Sequence, residues 1–149
     1  MEKNKAYHLD FMQNDLPDGS AQLIIADPPY YEIKGDFDFI WKDFDAYLED
    51  VEKWALECKR ILADNGTLFW YGHAKNIAYA QIIMDKHMNL VNSLVWEKTT
   101  CQTLRNEVDA LRSFAPVTER ILMYDKGEKK SGLQAIMDQP DLFMPIKKY

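Results

Sequence analysis

The amino-acid sequence predicts an α/β fold, an open sheet flanked by helices. Four apolar runs, at residues 22–26, 67–71, 90–96 and 119–124, have the length and bounding turn residues of buried strands. The segments between the first three carry apolar residues at three- and four-residue steps, which is the pattern of amphipathic helices. With 149 residues, 47% hydrophobic and 13% aromatic, the chain can bury one core and leaves little room for a second domain.

Gln22-Leu23-Ile24-Ile25-Ala26 is entered from the turn signal Pro17-Asp18-Gly19-Ser20 and stopped by Asp27-Pro28-Pro29. A continuous apolar run so bounded reads as a buried parallel strand. A loop rich in aromatics and acids follows, Tyr30 to Asp43. Phe44, Tyr47, Leu48, Val51, Trp54, Ala55, Cys58, Ile61 and Leu62 then outline a helix, and Ala63-Asp64-Asn65-Gly66 ends it, with Gly66 as a left-handed stop. Thr67–Tyr71 is the second strand. Asn76 to Lys86 is a helix with Ile77, Ala80, Ile83 and Met84 inward, and Leu90–Trp96 is the third strand. A polar stretch from Glu97 to Pro116 precedes the fourth, Glu119–Tyr124. No helix separates the last two strands, so they should run antiparallel.

Composition excludes several classes. No apolar run approaches the roughly 18 residues of a membrane span, and no signal-peptide core follows Met1-Glu2-Lys3-Asn4-Lys5. Cys58 and Cys101 are too far apart for a metal knuckle and read as reduced thiols of a cytoplasmic protein. His73 and His87 have no partners at ligand spacing, so no metal is expected. The net charge is −6, and Asp36–Glu57, with eight acids against Lys42 and Lys53, carries all of it. A global basic footprint for nucleic acid is therefore absent. Any grip on phosphate is local or belongs to something else, and Lys98 and Arg112 are isolated candidates that read more often as solvated side chains.

The chemistry-bearing tetrapeptide is Asp27-Pro28-Pro29-Tyr30, directly after a strand. Ligands of open α/β sheets bind beyond the carboxyl ends of strands. Two prolines fix φ and remove two N–H donors. A carboxylate and a proline carbonyl side by side make an acceptor pair with no donor between them, suited to an exocyclic –NH₂. Tyr30 adds a flat surface for a planar base. A plain strand-ending turn is the bland alternative.

Tyr7-His8-Leu9-Asp10, Leu16-Pro17-Asp18-Gly19-Ser20, Leu23 through Tyr30, Lys59-Arg60-Ile61-Leu62, Gly66 through Trp70, Leu94-Val95-Trp96-Glu97-Lys98 and Thr118 through Tyr124 together resemble the N-terminal, catalytic-motif part of a permuted, beta-class DNA amino-methyltransferase. The family commonly has His-Glu where this chain has Thr118-Glu119. The resemblance implies a partial Rossmann-like methyltransferase sheet, strands 4-5-7-6 in the family's 3-2-1-4-5-7-6 order, plus a short strand 3 near Tyr7. It implies methyl transfer from S-adenosylmethionine to adenine N6 or cytosine N4 of a flipped base in DNA, of the kind found in restriction-modification. Asp in the first motif position favours adenine. Asp27, Pro28, Pro29 and Tyr30 would be catalytic, and Asp10 and Asp27 would face the cofactor, although Asp10 reads equally as an N-cap. Tyr30 would stack on the base. Tyr31, Lys34 and Trp41, in the loop after the motif, and Lys98 would meet substrate, or else simply anchor the loop.

A complete enzyme of this class also needs a Gly-rich loop for the cofactor, and no two of the six glycines here form G-x-G. The expectation is a catalytic part over residues 1–127, with 128–149 starting a recognition region or tail, from a truncated gene, an expressed fragment or one member of a split enzyme whose complementing chain carries the cofactor motif. The alternative is a non-catalytic remnant or subunit that binds DNA or a partner. A protein methyltransferase is disfavoured, because glutamine-modifying relatives carry Asn at the position of Asp27. With family strands 1 and 2 missing, the Gln22–Ala26 strand becomes an apolar edge, which predicts a homo-oligomer.

Overall fold

The computed structural model describes residues 4–33, 35–98 and 117–127. Along the chain come β1 (Ala21–Ala26), α1 (Phe44–Ile61), β2 (Leu62–Gly72), α2 (Ile77–Met84), β3 (Asn89–Glu97) and β4 (Thr118–Asp125), with 3-10 turns at Phe11–Gln13 and Asp36–Asp38. The strands form one sheet in the order β1-β2-β4-β3. β1 runs parallel to β2, whereas β2–β4 and β3–β4 are antiparallel. This is the 4-5-7-6 arrangement expected, including the reversed final pair. The sheet is accordingly mixed.

Asp43 starts α1, its carboxylate accepting from the Ala46 N–H at 2.8 Å, and Lys59 and Arg60 sit in the last turn where the helix dipole favours cations. Tyr47, Val51, Ala55, Cys58 and Ile61 form the buried stripe. All of them but Ile61 pack in one cluster with Ala80 and Met84 of α2, Leu68 and Trp70 of β2, and Leu122 and Tyr124 of β4. The Tyr124 hydroxyl donates to Asp85 at 2.7 Å, tying β4 to the end of α2. Arg60 fastens the segment before β1. Its guanidinium donates to Glu57 and to the Leu16 carbonyl at 2.9 Å, and Asn14 donates to Glu57 at 2.6 Å.

Three expectations are corrected. Gly66 is no left-handed stop: α1 ends at Ile61, Leu62 is already extended, and Gly66 is buried within β2 with no positive φ. A Cβ there would lie 2.9 Å from the carbonyl oxygens of Ala21 and Ala63, so Gly66 is required by close backbone approach where the β1–β2 register slips. No strand forms near Tyr7; β1 pairs only with β2 among the described residues, and Asp10 opens a 3-10 turn instead. The second helix stops at Met84 rather than Lys86, because residues 85–87 already form turns.

Candidate active site

β1 ends at Ala26, so Asp27 stands at the carboxyl end of the parallel β1–β2 pair, where the fold leaves room for a ligand. Asp27 is exposed and Pro28 and Pro29 are half-buried, whereas Tyr30 is buried at 4% exposure. The Tyr30 hydroxyl donates to Oδ1 of Asp27. Burial first, and then the Asp27 hydrogen bond and charge, push the Tyr30 phenol far above its usual range, so it stays a donor.

The backbone after Asp27 is held by buried polar groups. Asp38, fully buried, accepts the Tyr30 N–H at 2.9 Å. The Tyr47 hydroxyl donates to the Pro29 carbonyl at 3.1 Å, and burial together with the Asp38 charge raises its pKa to about 12. Asn76 donates to the Tyr30 carbonyl at 2.6 Å and to the Tyr31 carbonyl at 3.1 Å. Sequence reasoning missed all three as site residues. Asp38 was one acid in a run and Asn76 one polar residue before a helix; only folding brings them to the motif.

Two pockets share Asp27, Pro28 and Pro29 as a wall. One, of about 360 Å³, is mainly apolar, with Phe11, Ile24, Trp54 and Trp70 around the carboxylates of Asp10 and Asp27. The other, of about 250 Å³, adds Tyr30, Phe37 and Asp38. Phe37, 56% exposed, is a second aromatic that sequence reasoning left unmarked. Asp10 caps the 3-10 turn through Met12 N–H at 2.9 Å and also lines the larger pocket. That pocket has a lining that fits an adenosine: apolar side chains for the purine and carboxylates that can accept from hydroxyls.

The remaining candidates are spread out. Tyr31 and Trp41 enter an aromatic cluster with Phe44, Tyr47 and Trp54. Trp41 also donates to Asp50 at 2.9 Å. Both residues therefore anchor the loop to α1, and Tyr31 in addition lines a small pocket with Lys75 and Tyr79. Lys98 is paired with Glu119. Lys34 and Arg112 lie outside the described residues, as do Cys101 and the segment 128–149. Among the described residues no cluster of His, Cys, Asp and Glu could hold a metal ion, and no helix is long and apolar enough to cross a membrane.

The chain is similar to known proteins over most of its length. The family model described as DNA methylase matches residues 21–148. The Type II methyltransferase M.HpaI of Haemophilus parainfluenzae is 32% identical over 122 residues, covering 78% of this chain and 36% of that protein. M.HinfI of Haemophilus influenzae, also a Type II methyltransferase, is 33% identical over 100 residues, 56% of this chain and 28% of its own. The chain thus spans about a third of the length of these curated relatives. Among solved structures, TTHA0409 of Thermus thermophilus, complexed with S-adenosyl-L-methionine, superposes with a TM-score of 0.55 at 24% identity, covering 78% of this chain and 52% of that one. M1.HpyAVI does so with a TM-score of 0.56 at 20% identity, covering 83% and 56%. At such identities these two show a shared fold.

Proposed function

This chain belongs to the DNA methylase family, and on that premise we propose that residues 1–127 are the catalytic part of an S-adenosylmethionine-dependent DNA adenine-N6 methyltransferase. The carrying observation is the acceptor pair, Asp27 carboxylate and Pro28 carbonyl, standing in a wall shared by two pockets at the end of β1.

The cofactor, when bound, supplies an electrophilic methyl group. Asp10, Phe11 and Trp70 would hold its adenosine part in the larger pocket. The flipped base would enter the smaller one, against Tyr30 and Phe37. Tyr30 occupies Oδ1 of Asp27, so Oδ2 is the oxygen left for one amino hydrogen, and the Pro28 carbonyl takes the other. Accepting both hydrogens localises the amino lone pair on nitrogen. The carboxylate then stabilises the positive charge that develops there as the nitrogen attacks. No covalent bond to the enzyme forms. The same geometry serves cytosine N4; adenine is preferred because Asp stands first in the motif.

No G-x-G occurs in this sequence, so the cofactor's methionine end would be held from outside it, by a complementing chain or by further sequence of the same polypeptide. Either would sit along β1, which pairs only with β2 among the described residues and whose Leu23 and Ile25 side chains are 57% and 65% exposed. Without that companion, the edge would be covered by a second copy. Light scattering should then show a dimer, and a monodisperse monomer would overturn this point. Together the two chains would act on cytoplasmic DNA as the modification arm of a restriction-modification pair.

Labelled S-adenosylmethionine and mixed-sequence DNA test the whole reading. The chain alone should give background incorporation. With a companion bearing a Gly-rich loop it should yield N6-methyladenine. N4-methylcytosine would refute the base assignment, and robust incorporation by the chain alone would refute the need for a companion.

A further inference from the structure

We propose that Asn76 is a positioning residue that, with Tyr47 and Asp38, aims the Asp27–Pro28 acceptor pair; the inference rests on the role just given to that pair. Asn76 occupies the N-cap of α2, where an asparagine side chain ordinarily accepts from the first free backbone N–H groups. Here it makes no capping hydrogen bond. Buried at 6% exposure, it turns both amide hydrogens toward the Tyr30 and Tyr31 carbonyls instead. A local stabilising contact is thus given up for one 46 residues back along the chain.

What is held there is strained. Tyr31 and Glu32 have φ of 62° and 53°, two consecutive non-glycine residues in the left-handed region. Such a turn persists only where its surroundings determine it, and it tends to occur at functional sites. Asn76 closes the turn at its entry. Asp38 closes it from within, through its side chain on Tyr30 N–H and its own carbonyl, which accepts from Glu32 N–H at 2.9 Å.

The bonding has a chemical consequence. Of the carbonyls of residues 28–31, that of Pro29 is taken by Tyr47 and those of Tyr30 and Tyr31 by Asn76. No described residue donates to the Pro28 carbonyl. Proline at positions 28 and 29 offers no N–H that could compete. Of those four carbonyls, one acceptor therefore remains beside the Asp27 carboxylate, at a spacing fixed by the turn. A planar ring bearing –NH₂ meets a single matched pair, which is what orientation by the site requires.

The test is carbonyl-detected NMR of the full chain, reading Pro28 ¹³C′ and Asp27 ¹³Cγ in wild type, Asn76→Asp, Asn76→Ala and Tyr47→Phe, alongside titration with 9-methyladenine. Asn76→Asp keeps the shape but removes both donors. It should shift or broaden both signals while β2 and β4 amides stay in place, and weaken 9-methyladenine about tenfold. Tyr47→Phe, which keeps the ring, should do the same to a lesser degree and decides the matter if Asn76→Asp does not fold. N6,N6-dimethyl-9-methyladenine, lacking amino hydrogens, should bind none of these proteins. Unchanged Pro28 and Asp27 signals in the folded variants, or a loss confined to melting temperature, would overturn the inference. A wild type that ignores 9-methyladenine would overturn the role of the acceptor pair, and this inference with it.

Discussion

Under β2 and along the loop after β1, the same chain is held by two different kinds of force. Beneath the sheet, Val51, Ala55, Leu68 and Met84 are wholly excluded from water and lie in one apolar cluster. Around the loop, Asp38, Tyr47 and Asn76 are equally buried but act by hydrogen bonds to backbone. Apolar packing is non-directional and tolerates small shifts of shape. Hydrogen bonds are directional and fix where a carbonyl points. The core thus sets where β1 ends, and the polar groups set what the chain does beyond it.

The comparison is broken most severely in the core. Trp70 is 2% exposed at the centre of the cluster and also faces the larger pocket. Trp70→Ala should cost about 3–5 kcal/mol, and urea denaturation measures it. Gly66→Ala tests the backbone side of the same core. Its Cβ would meet Leu62 Cδ1 at 2.7 Å and two carbonyl oxygens at 2.9 Å. The carbonyls cannot rotate away without breaking the β1–β2 register, so a loss of about 2–3 kcal/mol is expected.

These two residues also show what was legible. The apolar periodicity of 44–61 specified α1 nearly to the residue, because one stripe faces one core. Asp27-Pro28-Pro29-Tyr30 was visible because the prolines act locally. Gly66 was misread because part of its requirement, the Ala21 carbonyl, comes from a strand distant in sequence. The strand expected near Tyr7 has no neighbour to pair with among the described residues. Asp38 and Asn76 were illegible as site residues for the same reason: their partners are backbone atoms 8 and 46 residues away, and no side-chain pattern encodes that.

Alkaline pH sharpens the comparison, since raised groups lie in both regions, Cys58 and Tyr124 in the core and Tyr47 and Tyr30 beside the loop. Burial pushes the Cys58 thiol up to about 12, with Glu57 adding to it, and the Tyr47 phenol rises to about 12 beside Asp38. A folded-state pKa above the unfolded one contributes stability that is complete below the unfolded value and is lost as pH rises toward the folded value. The window therefore runs from about 9, the ordinary thiol value, to about 12. Between pH 8 and 10.5 the Cys58 thiol alone should lower the unfolding free energy by about 2 kcal/mol. Cys58→Ala should remove that share, and Tyr47→Phe a smaller share of the remaining slope, to which the Tyr30 and Tyr124 phenols also contribute. A profile unchanged by either variant would show that neither group is excluded from water as described.

The smallest effect on stability should accompany the largest on chemistry. Asp27 is exposed at a strand end, and from sequence its removal would cost almost nothing. The structure adds one term: the buried Tyr30 hydroxyl donates to it. Asp27→Ala removes that acceptor from the buried hydroxyl, a loss of about 1 kcal/mol. Adding Tyr30→Phe removes the hydroxyl as well and should return stability to within about 0.5 kcal/mol of wild type. Methyl transfer in the presence of a companion chain should be absent from both variants, because neither retains the carboxylate. A double variant that regained incorporation of labelled methyl would place the essential acceptor elsewhere. One that stayed destabilised would show that Asp27 supports the fold through contacts other than Tyr30.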